Sequence, residues 1–183
     1  MAKNVLKDVF NPKCFSRTFI RQRDSFSCVA ACCATIARLY GLPVSQDLEF
    51  FRSRLHTTPD GVSMAKLEKL CRTVLPVTSM GCNSYHGGVA LGFIRHKPDG
   101  VDHAVVFLAR NKDVLIYYDP YDHRVLRDTV GNMQRGSDRY DSYKTWTANF
   151  LPLAGADFEF WEAQAEDNPY KLREQAFWRH EHG

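Results

Sequence analysis

The sequence has no long hydrophobic run and no strong excess of charge of either sign. No stretch of its 183 residues approaches the roughly 20 apolar residues that a membrane-spanning helix needs. Residues 1–8 contain no apolar segment of the kind found in secretory signal peptides. The net charge of +3 comes from interspersed residues, so nothing indicates a nucleic-acid-binding surface. We therefore expect a soluble cytoplasmic protein that has no Sec signal and binds no nucleic acid.

The six cysteines also lack the spacing of a metal site. Cys28 and Cys32 are one helical turn apart, but no Cys-x-x-Cys pair and no paired histidines complete a set of zinc ligands. A disulfide framework is equally unnecessary, because a chain of this length with 44% apolar content can bury a core without cross-links. We therefore expect one domain over residues 1–183, reduced thiols, and neither a metal nor a cofactor.

Residues 28–40 contain neither glycine nor proline and are rich in alanine, which predicts a helix. Ser27 is a candidate N-cap, and Gly41 stands where a glycine ends many helices. Because this helix is apolar on nearly every face, we expect it in the core. Cys28 then lies in its first turn, where free N–H groups and the helix macrodipole favour a thiolate. The alternative is that Cys28 is a small core residue, as we expect for the two later cysteines of this helix.

Elsewhere the chain changes from helical periodicity in its first third to strands in its middle. Ser45 and Ser63 are candidate N-caps for two amphipathic helices. Three strands joined by tight turns should form an antiparallel meander, which makes the domain α+β. A further strand is expected within residues 140–153 and a last helix from 168 to 178. The three meander strands are predicted at Val89–Arg95, Val101–Ala109 and Val114–Tyr118.

The last two of these strands bring two polar residues together. His103 and Asp119 are equidistant from position 111 at the predicted turn, so in the simplest register they face each other with Cβ atoms roughly 5 Å apart. A bulge or a one-residue slip would break this pairing. An imidazole oriented by a carboxylate is the base that a cysteine nucleophile requires. We therefore predict Cys28 as the nucleophile, His103 as base and later acid, and Asp119 as the orienting group.

A glutamine six residues before the cysteine completes the predicted site. Gln22 is placed to donate its side-chain amide to an oxyanion, alongside the Cys28 N–H. Asp102 and Asp122 are rivals for the orienting role, but neither shares the hairpin position of the predicted carboxylate. The other histidines that could line this cleft are His86 and His123.

Five motifs occur along the chain in a fixed order. They are Gln22-x5-Cys28, the helix ending at Tyr40-Gly41, Asp60-Gly61-Val62-Ser63, His103-Ala104-Val105-Val106 and Tyr118-Asp119-Pro120. In order and spacing they resemble the papain-like double-glycine leader peptidases, which are the cysteine-peptidase domains of bacteriocin ABC exporters and also occur in stand-alone proteins and bacterial toxins. The resemblance covers about residues 17–125 and leaves 155–183 as a C-terminal extension.

This resemblance implies a fold and an activity. The fold would be papain-like, with the cysteine-bearing helix packed on an antiparallel sheet, and a protein or peptide substrate would be cut after two glycines. A toxin-type member would be delivered into the cytoplasm of a target cell and neutralised by an immunity protein. One departure concerns Val29, since the family usually has glycine after the nucleophile. The loop His86-Gly87-Gly88 also offers a sequence that such an enzyme would cut in itself.

Two other functional classes remain open from the sequence. NlpC-like peptidoglycan amidases use a similar Cys–His pair, but they carry their own motif around the cysteine, and we do not find it here. Non-catalytic peptide-binding domains of the same fold typically lack the cysteine, so the presence of Cys28 argues against that class.

Overall fold

The computed structural model describes residues 12–43, 45–82, 85–96, 102–135 and 140–167. Within these ranges most of the helices precede the strands, as predicted. The helices are α1 (Pro12–Thr18), α2 (Cys28–Leu39), α3 (Leu48–Leu55), α4 (Met64–Thr73), α5 (Val130–Arg135) and α6 (Phe158–Glu162). The strands are β1 (Val77–Cys82), β2 (Ala90–His96), β3 (Asp102–Arg110), β4 (Val114–Asp119), β5 (Arg124–Thr129), β6 (Tyr140–Phe150) and β7 (Glu166–Asp167).

The strands form one seven-stranded sheet in the order β1-β6-β2-β3-β4-β5-β7. All neighbours are antiparallel except the pair β5 and β7. Strands β2, β3 and β4 begin within one residue of their predicted positions and form the predicted meander, so the α+β class is confirmed. The turn predicted at 97–100 and the last helix predicted at 168–178 lie outside the described residues.

Helix α2 is the central element of the core. Each of its residues except Arg38 is buried, and it packs against β3. It ends as predicted at Gly41, whose positive φ of 66° lets the chain turn away. The N–H groups of Gly41 and Leu42 donate to the carbonyls of Arg38 and Ala37, which satisfies the last turn of the helix. The nucleophile candidate at the other end of α2 is therefore held on a rigid, buried support.

The two helices after α2 have side-chain N-caps, one of them not at the predicted residue. Ser63 caps α4 as predicted, because its hydroxyl accepts a hydrogen bond from the Lys66 N–H at 3.3 Å. The prediction of Ser45 as the cap of the preceding helix is wrong. Helix α3 starts two residues later than that prediction implies, and the Asp47 carboxylate accepts from the Phe50 N–H at 3.0 Å. Aspartate is an equally good cap, so local sequence does not separate the two positions.

The sheet carries apolar side chains on both faces. Tyr118 of β4 belongs to the main core with α2, whereas its neighbour Tyr117 points to the opposite face and packs with Phe107 and with Met133 of α5. This alternation follows from the two-residue repeat of a strand. Adjacent tyrosines of one strand thus serve different layers of the domain.

Helix α6, which lies between β6 and β7, packs back onto the main core. Asp157 caps α6 by accepting from the Phe160 N–H at 2.9 Å. Trp161 is fully buried, and its ring meets the Phe19 ring edge-on at a centroid distance of 6.5 Å. Helix α6 therefore supports the segment that leads from α1 toward Gln22.

Candidate active site

Cys28 is the first residue of α2, and its thiol is held by several hydrogen-bond donors. Ser27 occupies the predicted N-cap position, but its side chain makes no capping bond. The His103 ring and the N–H groups of Ala104 and Val29 hydrogen-bond the Cys28 sulfur. Burial alone would raise the pKa of Cys28, but these bonds and the charge of His103 lower it below its ordinary value. The geometry thus favours a thiolate at the start of the helix.

His103 is held between the thiol and a buried carboxylate. Its Nε2 lies 2.8 Å from Oδ1 of Asp119, whose side chain is 0% exposed. Burial would lower the pKa of His103, but the charge and hydrogen bond of Asp119 raise it to about 10, with a further contribution from Cys28. Because Nε2 contacts Asp119, Nδ1 is the ring nitrogen left for the thiol. Both shifts favour the form of the pair in which the imidazole is protonated and the thiol is ionised.

The register of β3 and β4 differs from the predicted one. Leu108 is an extra residue on β3, where the pairing shifts by a β-bulge. Continuing the observed register places Asp119 opposite Val105, so His103 is two residues away rather than directly opposite as predicted. An even offset keeps both side chains on one face, whereas without the bulge the offset would be three and the faces opposite. The observed pairs are Val106 with Tyr118, Phe107 with Tyr117, Ala109 with Ile116 and Arg110 with Leu115.

The rival carboxylate of β3 has a different partner. Asp102 pairs with Arg95 across β2 and β3, at 3.7 Å between Oδ1 and Nε. Of the two other histidines considered for the cleft, His86 contacts Ser79 Oγ at 3.2 Å. His123 lies in the turn between β4 and β5, where it is bonded to neighbouring side chains.

Gln22 lies next to the turn that follows the Asp119 strand. Its backbone N–H donates to the Pro120 carbonyl at 3.1 Å, and its side chain is largely buried. The side-chain Nε2 donates one hydrogen to the Asp24 carbonyl at 2.6 Å, which fixes the orientation of the amide because Oε1 would be repelled there. The amide group has a second N–H, and this is the donor that an oxyanion near Cys28 would require.

The other cysteines differ from Cys28 in their surroundings. All six thiols are free. Cys32 and Cys33 are completely buried, and burial raises the pKa of each well above its ordinary value. They are therefore inert core residues, as predicted. Among the residues that the structure describes, no three His, Cys, Asp or Glu side chains are grouped to hold a metal ion, and no helix could cross a membrane.

Comparison with known proteins gives this geometry a family. The family model of the peptidase C39 family matches residues 16–129. The chain belongs to the peptidase C39 family. Its fold is similar to the crystal structure of the peptidase domain of Streptococcus ComA, a bifunctional ABC transporter involved in quorum sensing. That match has 16% identity and a TM-score of 0.57, and it covers 74% of this chain and 98% of the ComA domain. No curated protein matches the chain.

This assignment confirms the resemblance seen in the sequence and the papain-like α+β fold. A member of the peptidase C39 family has a protein or peptide as its substrate. The matched region contains Gln22, Cys28 and His103, and it ends ten residues after Asp119. The family domain therefore holds all four residues that the sequence predicts for the site.

The valine after Cys28, which departs from the usual C39 sequence, is accommodated by burial. The Val29 side chain belongs to the main apolar core, and its N–H contacts the thiol. Sequence reasoning missed the N–H groups of Ala104 and Val29, because a backbone donor leaves no mark in the residue type. It also missed what the Ser27 hydroxyl does instead of capping the helix: it accepts a hydrogen bond from the Arg23 N–H at 3.3 Å and so braces the segment that carries Gln22.

Proposed function

We propose that this protein is a cysteine endopeptidase that cleaves a protein substrate after a double glycine. The observation that carries the proposal is the chain of contacts from the Cys28 thiol through the His103 ring to the Asp119 carboxylate, which lies 2.8 Å from Nε2. A thiolate, a charged imidazole and a buried orienting carboxylate are the groups that acyl transfer by cysteine requires.

In the first half of the reaction Cys28 acts as the nucleophile. Its thiolate attacks the carbonyl carbon of the residue before the cut, and the carbonyl electron pair becomes an oxyanion. The Cys28 N–H and the second side-chain N–H of Gln22 donate hydrogen bonds to this oxyanion. The His103 imidazolium then gives its proton to the leaving amine as the C–N bond breaks, which leaves a thioester on Cys28 and a neutral imidazole.

In the second half the thioester is hydrolysed. The neutral His103 takes a proton from water, and the resulting hydroxide attacks the thioester carbonyl in the same oxyanion site. Collapse of this intermediate expels the Cys28 thiolate and releases the product as a carboxylic acid, which loses its proton to solvent. Asp119 keeps the ring oriented and stabilises the imidazolium that is present again at the end of the cycle.

The narrow access to the thiol supports the preference for glycine. Cys28 is 7% exposed and the His103 side chain 12% exposed, so a substrate must approach closely within a confined space. Glycine has no Cβ, which allows a backbone to come near a buried group at the smallest steric cost. Two glycines before the cut would therefore fit where larger residues would collide with the walls of the cleft.

The test compares the protein with Cys28→Ala on flexible protein substrates that contain a Gly-Gly sequence. We expect cleavage after the second glycine by the parent only, with a matched Cys32→Ala variant retaining cleavage because that thiol is buried in the core. Cleavage by both the parent and Cys28→Ala would refute the assignment. A parallel digestion uses peptidoglycan as the substrate. Release of muropeptide fragments there, without cleavage of the protein substrates, would favour the NlpC-like alternative.

We extend the proposal to a role as an interbacterial effector with a neutralising immunity protein, which rests on the resemblance to toxin-type members of the family. Expression in a bacterial cytosol should then slow growth, and Cys28→Ala should relieve the effect. Equal growth of cells expressing the two forms would count against this role while leaving the peptidase assignment standing.

A further inference from the structure

A buried tyrosine connects the catalytic sheet to the segment that carries Gln22. We call residues 20–23 the Gln22 segment. The Tyr118 hydroxyl lies 2.9 Å from the Ile20 carbonyl and 2.9 Å from His123 Nδ1. His123 Nε2 lies 3.0 Å from Ser16 Oγ of α1. These contacts form one hydrogen-bonded row from α1 through the turn after β4 to the Gln22 segment.

The direction of each hydrogen bond follows from the Ile20 carbonyl, which can only accept. Tyr118 therefore donates its single hydroxyl hydrogen to Ile20, and its oxygen accepts from the Nδ1–H of His123. A neutral His123 then accepts at Nε2 from the Ser16 hydroxyl. Burial and the charge of Arg21 lower the pKa of His123, which favours this neutral form.

Three backbone N–H groups of the Gln22 segment also donate hydrogen bonds to neighbouring elements. The Ile20 N–H donates to Thr35 Oγ1 of α2 at 2.9 Å. The Gln22 N–H donates to the Pro120 carbonyl at 3.1 Å, and the Arg23 N–H donates to Ser27 Oγ at 3.3 Å. Tyr118 supplies the contact on the carbonyl side, so the segment is fixed to both α2 and the strand that carries Asp119.

We propose that Tyr118 and His123 are positioning residues for Gln22: the Tyr118 hydroxyl, oriented by His123, holds the Gln22 segment so that the glutamine amide meets the oxyanion. The proposal rests on the proposed peptidase function. Tyr118 is fully buried and one residue from Asp119, yet its hydroxyl serves the oxyanion side of the site rather than the Cys–His–Asp side. Loss of this hydroxyl should affect the transition state more than substrate binding, since a small displacement of an oxyanion donor lowers kcat.

The kinetic test uses Tyr118→Phe, with Tyr117→Phe as the matched control. Both changes remove one hydroxyl from β4, but Tyr117 packs on the opposite face of the sheet. We expect Tyr118→Phe to lower kcat on the order of tenfold with little change in KM, and Tyr117→Phe to remain near the parent. In a Gln22→Ala background, Tyr118→Phe should cause no further loss, because it acts through that side chain. Equal losses in the two tyrosine variants, or an additive loss in that background, would overturn the proposal.

A second measurement needs no substrate and therefore separates this proposal from the peptidase assignment. Hydrogen exchange at the amides of the Gln22 segment should be faster in Tyr118→Phe than in the parent or in Tyr117→Phe, while alkylation of Cys28 keeps its pH dependence. Unchanged exchange would refute the positioning role even if the protein cleaves its substrate. Faster exchange in a protein that cleaves nothing would refute the peptidase assignment alone.

His123 gives a conservative rescue. Its backbone has a positive φ of 57°, a conformation that asparagine tolerates well. The asparagine amide can also replace the Nδ1–H donor to Tyr118. We expect His123→Asn to keep most of kcat and His123→Leu to resemble Tyr118→Phe. If His123→Asn and His123→Leu lose kcat equally, the donor role of His123 is wrong.

Discussion

Replacing Asp119 with asparagine should remove the charge that keeps His103 protonated. Asparagine has nearly the same shape, and its Oδ1 can still accept from His103 Nε2 and from the Tyr121 N–H, which both contact Asp119 Oδ1. At an effective dielectric constant of about 20, two unit charges 2.8 Å apart attract by about 6 kcal/mol, which burial of both groups opposes. Without that attraction the pKa of His103, now about 10, should fall to its ordinary value or below.

The same substitution should reduce the reactivity of Cys28. The charge of His103 helps to lower the pKa of the thiol, so a neutral ring lets that pKa return toward its ordinary value of about 8.5. The thiolate population at neutral and acidic pH should then fall below that of the parent. Sterically the site is unchanged, so this loss would come from electrostatics.

The assay is the rate of Cys28 alkylation by iodoacetamide between pH 5 and 10, followed by peptide mass mapping so that other thiols do not interfere. The midpoint of the alkylation profile should lie at higher pH in Asp119→Asn than in the parent, because the charge of His103 lowers the pKa of Cys28. Asp102→Asn is the matched control, because Asp102 pairs with Arg95. An Asp119→Asn profile that matches the parent would refute the imidazolium–thiolate pair.

Three further predictions concern stability. The pKa of His103 is raised in the folded state, so its contribution to the free energy of unfolding is complete below about pH 6.5 and is lost as the pH rises through about 10. Denaturant titrations across this range should show the loss in the parent and not in Asp119→Asn. Asp47→Ala should lower the free energy of unfolding by about 0.5–2 kcal/mol, because it removes the α3 cap, and no change in the denaturation midpoint would contradict that role. Gly92→Ala should lower the free energy of unfolding by about 1–3 kcal/mol, because a Cβ at this position would lie 2.2 Å from Cε2 of Phe107. A variant with unchanged stability would show that the Phe107 ring can move away.

The nucleophile candidate was predictable because its signals are local. The alanine-rich run, the flanking Ser27 and the final Gly41 lie within 15 residues of one another, and they define a buried helix with Cys28 at its start. The strands of the meander were also predictable from their apolar residues. Strand β5 was not, because its arginines and aspartate hide the buried Val125 and Leu126.

The contact between His103 and Asp119 was predicted for partly wrong reasons. The observed turn is centred later than the predicted one, and the bulge at Leu108 moves the register back by one residue. The two changes together leave an even offset, so both side chains stay on one face. A bulge depends on packing between strands rather than on a local residue pattern, and the sequence alone therefore could not supply the true register.

The row from Ser16 through His123 to Tyr118 had no signal in the sequence. Its members are separated by up to 107 positions, and each is an ordinary residue in its own surroundings. Only the packing of α1 against the turn after β4 brings them together.

The loop His86-Gly87-Gly88, predicted as a sequence that the enzyme would cut in itself, is held by hydrogen bonds. The Gly87 carbonyl accepts from the Arg110 N–H at 3.0 Å, and the Gly88 carbonyl accepts from the Tyr85 hydroxyl at 2.9 Å. A substrate must adopt an extended backbone in an active site, so these bonds oppose self-cleavage of the folded protein.

The central claim is that Cys28 makes this protein a peptidase that cuts after two glycines, and mapping of new protein N-termini tests it most directly. Extracts of bacterial proteins would be exposed to the parent and to Cys28→Ala, and the N-termini that form would be sequenced by mass spectrometry. We expect new N-termini immediately after Gly-Gly, produced by the parent and not by Cys28→Ala. The same N-termini in both samples, or none in either, would contradict the claim.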